Sequence, residues 1–200
     1  EGNWQAENTH LVMLGDICDR GYDSKTIYQS LIRWQAEAPD FNSVLSFVIG
    51  NHEVMNIFGY SMYNNPRELR GYAEKDSQSN GSREFRAAFS PGGFVYDWLL
   101  EQHCIIKIGP LVFAHADLPV EFYDRSIKEI DDFTMADIIE SDPASMRSIN
   151  DAPESLFSED ASIIWSRQAQ AYEVIGYTRF LARFLESNTA SAYICGHTPG

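Results

Sequence analysis

The sequence predicts an α/β fold, and three observations carry that reading. A short aliphatic run, Leu11 to Leu14, precedes a helical pattern from Ser24 to Ala38, and a second aliphatic run follows from Ser43 to Ile49. That order makes a βαβ unit, whose strands run parallel because a helix carries the chain back between them. Finally, several apolar runs lead straight into polar residues suited to metal or phosphate, at the strand ends where open α/β sheets place ligands.

Each element has a local cause. Leu11 to Leu14 reads as a buried strand, and Gly15 to Gly21 (GDICDRG) as the loop leaving its carboxyl end. Ile27, Leu31 and Trp34 recur near helical spacing, and Pro39 is the stop. SVLSFVI, residues 43 to 49, is the second strand and ends in Gly50, Asn51, His52 and Glu53. Residues 59–83 are rich in Tyr, Asn, Ser and Gly and suit a long surface excursion near the same edge, placed to act as a lid. Phe94 to Leu100 continues as a short helix. Cys104 to Ile108 and Leu111 to Ala114 form a hairpin about Gly109 and Pro110, and His115 ends its second run. Residues 121–160 are charged, with Pro143 and Pro153, and suit helices and loops. From Glu173 to Glu186, Val174, Tyr177, Leu181 and Leu185 fall on one side of an amphipathic helix. A last apolar run, Ala190 to Cys195, leads into Gly196, His197 and Thr198.

The 200 residues are 44% hydrophobic and 13% aromatic, enough for one substantial core, so a single domain over residues 1–200 is expected. With 29 acidic against 15 basic residues the net charge is −14, which disfavours a nucleic-acid partner because phosphate backbones need a basic face. No apolar stretch approaches the roughly 20 residues that span a bilayer, so no membrane partner and a soluble chain are expected, with the cytoplasm favoured. The sequence opens on Glu1 rather than methionine, so a missing export signal carries little weight. The three cysteines, Cys18, Cys104 and Cys195, form no CxxC pair and read as reduced, mostly buried thiols.

Four apolar runs end in metal-capable or phosphate-capable groups: Asp16 with Asp19 and Arg20, Asn51 with His52, His115, and His197. A lone histidine after a strand is ordinarily structural. Four coincident strand ends instead suit ligands converging at one sheet edge. Mixed oxygen and imidazole donors favour manganese, iron or zinc over a thiolate zinc site. Two metals about 3.5 to 4 Å apart can clamp the oxygens of an in-line phosphoryl displacement and generate hydroxide near neutral pH. Asp16 can bridge such a pair while Asn51, His115 and His197 complete the sphere of one ion. Arg20 offers a planar fork matched to phosphate. His52 is then free to protonate the leaving oxygen, with Asp19 orienting its imidazole.

GDICDRG, GNHEVMN, AHADL and CGHTP together resemble the calcineurin-like metallophosphoesterases, specifically the phosphoprotein phosphatases, and most nearly their Shewanella-like bacterial branch. The resemblance runs from Leu11 to Pro199. It implies a four-layer αββα sandwich and two divalent or trivalent metal ions, manganese first with iron or zinc as options. It also implies a phosphoprotein or phosphopeptide substrate, with tyrosine favoured over serine or threonine. Asp16 would bridge the metals, Asn51, His115 and His197 would ligate one of them, and Asn51 would also face the phosphate. His52 would be the general acid, backed by Asp19. Arg20 would grip phosphate, and Arg167, in IIWSR, matches a second phosphate-binding arginine.

Two departures from the pattern stand out. The family's first motif, GDxHG, lies upstream of GDxxDRG, but only ten residues precede Leu11 and none match. The family also continues with further strands after GHTP. The expectation is therefore a piece lacking the first strand and motif and the C-terminal strands, holding half of a binuclear site. Secondly, HADL replaces HGGL, so Asp117 is expected to add an acidic group near the metals and alter substrate preference. Two alternatives stay open, a dinucleoside polyphosphate hydrolase and a degenerate phosphatase fold serving as a binding module.

Overall fold

The computed structural model describes residues 2–75, 78–141, 153–171 and 174–197. β1 (His10–Met13) and β2 (Val44–Phe47) pair in parallel, with His10 opposite Val44 and Met13 opposite Phe47. The crossover is α1 (Ser24–Glu37), which packs on β2. Its Tyr28 and Leu31 are buried, three positions apart on one helical face. The helix ends where Pro39 enters a 3-10 turn, Ala38–Phe41, and Asn42 takes a left-handed conformation before β2.

Past β2, α2 (Asn51–Ile57) starts at Gly50 and is buried along its whole length. α3 (Pro66–Tyr72) and α4 (Ser82–Ala88) follow, then α5 (Phe94–Leu99). A second sheet has the order β3, β4, β5. β3 (Ile105–Ile108) and β4 (Leu111–Ala114) form the antiparallel hairpin, with Gly109 at φ +57° in its turn. α6 (Ile127–Glu140) packs on β3; Ser126 caps it, accepting the Glu129 N–H at 3.2 Å while Glu129 accepts the Ser126 N–H at 2.7 Å. α7 (Glu154–Phe157) and α8 (Gln168–Ala171) are single turns. α9 (Val174–Ser187) then turns buried Tyr177 and Phe184 inward and lies against β5 (Ala192–Ile194), which adds to β4 in parallel. Glu173, Pro143, Thr198 and Pro199 lie outside the described residues.

The ends of the two sheets meet. Val48 bridges to His103, and the Ile49 N–H donates to the His103 carbonyl at 2.8 Å. The carboxyl end of β2 is thereby set beside the start of β3, and hence beside the end of β4, because Ile105 pairs with Ala114. Two sheets carrying helices give the α/β sandwich expected. Edge-to-face and tilted aromatic pairs join the helices to one another and to β2, Tyr28 with Phe89 at 5.7 Å and Phe47 with Trp98 at 4.8 Å.

Residues 59–83 lie largely at the surface, but two short helices anchor them. α3 and the start of α4 bury Glu68, Tyr72 and Phe85, and the Tyr72 and Phe85 rings pack at 4.8 Å. Burying such a ring is worth roughly 1.5–3 kcal/mol, which ties the segment down despite its polar composition. Among the cysteines, Cys18 and Cys104 are buried and unbridged, but Cys195 is exposed as the chain leaves edge strand β5. No helix among the described residues is long and apolar enough to cross a membrane.

Candidate metal centre

The GDICDRG and GNHE loops touch, and two glycines allow it. A Cβ on Gly15 would lie 2.6 Å from Gly50 Cα, and one on Gly50 would lie 2.5 Å from Asp16 Oδ1. Asp16, Asp19 and Arg20 all take left-handed conformations, with φ of 57°, 67° and 57°. Such backbone is unfavourable outside glycine and persists where its surroundings hold it. The Glu53 carboxylate holds the Asp16 end, accepting the N–H groups of Asp16 at 2.8 Å, Ile17 at 2.8 Å and Gly50 at 3.0 Å, and the Tyr28 hydroxyl at 2.7 Å.

Four expected ligands converge. His115 Nδ1 donates to the Leu14 carbonyl, which leaves Nε2 unprotonated and aimed at Asn51 Oδ1 (3.0 Å), His197 Nδ1 (3.1 Å) and Asp16 Oδ1 (3.4 Å). His197 Nδ1 is also 3.0 Å from Asn51 Oδ1. Ligand atoms of Asp16, His115 and His197 all lie within 4.8 Å of one another, and no second cluster of three such donors occurs among the described residues.

This donor set fits a cation. Burial above all keeps the His197 imidazole neutral, its pKa pushed down to about 3. His197 Nε2 is buried with no partner among the described residues. Either tautomer therefore strands one ring nitrogen, or turns a lone pair onto the oxygen of Asn51 and the nitrogen of His115. Burial, then the Glu53 carboxylate, pushes the Asp16 carboxyl up. A cation relieves both the crowded lone pairs and the desolvated carboxylate, and mixed nitrogen and oxygen donors suit manganese, iron or zinc.

The expected acid pair lies alongside. His52 Nδ1 donates to Asp19 Oδ2 at 2.5 Å, both residues are buried, and His52 Nε2 is 4.0 Å from Asp16 Oδ2. Burial opposes the charged imidazole, but the hydrogen bond to Asp19 and the charges of Asp16 and Asp19 outweigh it, so the His52 pKa is raised. Arg20 is exposed, its guanidinium 5.1 Å from the Tyr63 ring, and that ring lies 5.2 Å from the His52 ring.

Arg167 is brought near His197, yet its Nη1 pairs with Glu159 at 2.9 Å. Asp117 does not join the ligands. Its Oδ2 accepts the Ala169 N–H at 2.9 Å and its Oδ1 the Cys195 thiol at 3.6 Å, so it fastens the AHAD loop to the segment carrying Arg167.

Sequence reasoning missed Glu53, Asn56, Tyr63, Asn64 and Glu68. Asn56 carried a signal, since it stands one helical turn beyond His52. Asn64 and Glu68 carried none, because they meet Asp19 only through the packing of the 59–83 segment.

The calcineurin-like phosphoesterase family model matches residues 3–200. Shewanella-like protein phosphatase 1 of Plasmodium berghei is 28% identical over 200 residues, covering 98% of this chain and 53% of that protein. The fold is similar to the crystal structure of a cold-active protein-tyrosine phosphatase from a psychrophilic Shewanella species, with TM-score 0.73 at 19% identity over 98% of this chain and 56% of that one. A 1.1 Å structure of a cold-active protein tyrosine phosphatase gives 0.74 at 20% identity, over 99% and 56%. The chain thus spans about half the length of these relatives.

Proposed function

Because the chain belongs to the calcineurin-like phosphoesterase family, we propose that it is the proton-donating and metal-ligating part of a phosphoprotein phosphatase that hydrolyses phosphate monoesters. The observation that carries this reading is the buried His52–Asp19 pair, 2.5 Å across, set against the Asp16 carboxylate of the ligand cluster. Asp16, Asn51, His115 and His197 would hold metal, manganese first with iron or zinc as options, and Asp16 is the candidate bridge of a binuclear centre. Bound metal would supply charge stabilisation at phosphorus and a lowered pKa for water.

The remaining work falls to the chain's own groups. Arg20 presents a planar fork to the phosphate oxygens, with Asn51 facing the same space and Arg167 as a second anchor. His52, held by Asp19 through Nδ1, keeps Nε2 free to carry a proton to the leaving oxygen, and its raised pKa favours the protonated form. Asp19 orients the ring and balances the charge it carries.

Phosphotyrosine is the favoured substrate, ahead of phosphoserine and phosphothreonine. Tyr63, 41% exposed, stands between His52 and Arg20 as a flat wall for an aromatic leaving group, and solved structures of like fold are named as tyrosine phosphatases. The test is to assay the manganese-loaded full-length protein on phosphotyrosine, phosphoserine and phosphothreonine peptides beside a dinucleoside tetraphosphate. Fastest turnover of the tyrosine peptide is expected; preference for the dinucleotide would overturn the reading.

A further inference from the structure

We infer that Asn64, supplied by the segment between α2 and α3, is a positioning residue that fixes the proton donor through Asp19. The inference rests on the phosphatase reading and adds a residue to its machinery. Asn64 Nδ2 donates to Asp19 Oδ1 at 2.6 Å and to Asn56 Oδ1 at 3.0 Å. Asn56 Nδ2 in turn donates to Asp19 Oδ2 at 3.1 Å and to the His52 carbonyl at 2.9 Å. Asp19, Asn56 and Asn64 therefore close a ring of amide hydrogen bonds around the carboxylate that accepts the hydrogen bond from His52 Nδ1.

The two carboxylate oxygens are divided between two tasks. Oδ2 faces His52, and Oδ1 is held by Asn64. With both oxygens satisfied, the carboxylate cannot rotate away from the imidazole without breaking a short bond. The same segment and α3 grip Asp19 and Arg20 along the backbone. Glu68 accepts the Asp19 N–H at 3.0 Å, the Tyr63 carbonyl accepts the Arg20 N–H at 3.3 Å, and Asn65 Nδ2 donates to the Arg20 carbonyl at 3.0 Å. Asn64 reaches none of the metal-ligating atoms. Its role belongs to the acid alone.

The surroundings make the residue testable. A cavity of about 360 Å3, lined by Asn56, Gly59, Ser61, Asn64 and Arg86 among others, opens beside Asn64. Shortening Asn64 therefore admits water to Asp19 instead of leaving a dry void. The experiment compares manganese-loaded full-length protein with its Asn64→Ala and Asn64→Asp variants on two aryl phosphates. Dinitrophenyl phosphate has a leaving group that needs no proton, whereas phenyl phosphate has one that does. The expected result is a kcat for phenyl phosphate reduced about tenfold in both variants, with KM and dinitrophenyl phosphate turnover held within about twofold. Metal content is expected to be unchanged.

Equal loss on both esters, no loss on either, or loss of metal would overturn the role. A second readout does not need turnover: the His52 Nδ1 proton, in its 2.5 Å bond to Asp19, should resonate far downfield in proton NMR and move upfield in both variants. An unmoved resonance overturns the inference. If the wild-type protein hydrolyses neither ester, the phosphatase reading fails on its own, and the resonance still decides the role of Asn64.

Discussion

The carboxylate of Glu53 accepts the backbone N–H of Asp16 at 2.8 Å, so a side chain of the GNHE segment sets the backbone of the GDICDRG segment. Glu53 is fully buried, and hydrogen-bond donors surround it. Its charge keeps Asp16 in a left-handed conformation and turns that side chain towards His115. Glu53→Ala should therefore cost on the order of 3 kcal/mol of stability, since several charge-assisted bonds are lost and buried N–H groups are left without acceptors. Urea unfolding measures it. A midpoint equal to wild type would show that the two loops hold their shape without Glu53.

Gly50→Ala tests the same contact from the other side. The added methyl would lie 2.5 Å from Asp16 Oδ1 and 2.7 Å from Glu53 Oε2, closer than any relaxed contact. The loops must part, at a cost of about 1–3 kcal/mol for an overpacked site. Lowered thermal stability together with weaker manganese binding is expected by calorimetry. Unchanged metal affinity would mean that the ligands tolerate separation of the loops.

His197→Ala should weaken metal binding at least tenfold, because it removes one of the atoms on which the Asn51 and His115 donors converge. In the wild-type protein, metal at a hundred times its dissociation constant should stabilise the fold by about 2.7 kcal/mol, and a chelator should remove that gain. Thermal scans with and without manganese give both numbers. A variant that gains as much as wild type would take His197 out of the ligand set.

His52 sets a pH limb. Its pKa is raised by Asp19 and Asp16 above the ordinary 6.5, so the protonated form is present below that raised value and lost as pH rises through it. Turnover of poor leaving groups should fall along this alkaline limb, as should the contribution of the His52–Asp19 pair to stability. Asp19→Asn removes the charge and should shift the limb to lower pH, and His52→Asn should abolish it while reducing kcat about 10²–10⁴-fold with metal retained. A limb that stays in place in His52→Asn would assign it to another group.

The convergence of Asp16, Asn51, His115 and His197 was legible because each expected donor is contiguous with its strand. Leu14 leads to Asp16 across one glycine, Ile49 to Asn51 across another, Ala114 touches His115, and Ile194 precedes His197 by three positions. Strand ends announce themselves in a sequence. What fixes the acid did not, because Asn64 and Glu68 reach Asp19 across 45 and 49 positions from a stretch whose Tyr, Asn and Ser content reads as surface. The apolar residues that bury this stretch, Leu69, Tyr72 and Phe85, are too sparse there to dominate its composition. Asp117 misled for a related reason. A carboxylate beside a ligand histidine suggests metal, but its partner is the Ala169 N–H, 52 positions on.

The two arginines assigned to phosphate should separate in kinetics. Arg20 is exposed and stacked near Tyr63, so its guanidinium meets a phosphate without first leaving a carboxylate. Arg167 must release Glu159, to which it is joined at 2.9 Å on a half-exposed surface, and that exchange offsets part of what it gains from substrate. Arg20→Lys keeps the charge but loses the two parallel donors, so KM should rise about tenfold with a smaller change in kcat. Arg167→Ala should raise KM less, and Glu159→Ala should lower KM by freeing Arg167. If Glu159→Ala leaves KM untouched while Arg167→Ala raises it as much as Arg20→Lys, the ion pair does not compete with phosphate and the two arginines grip it equally.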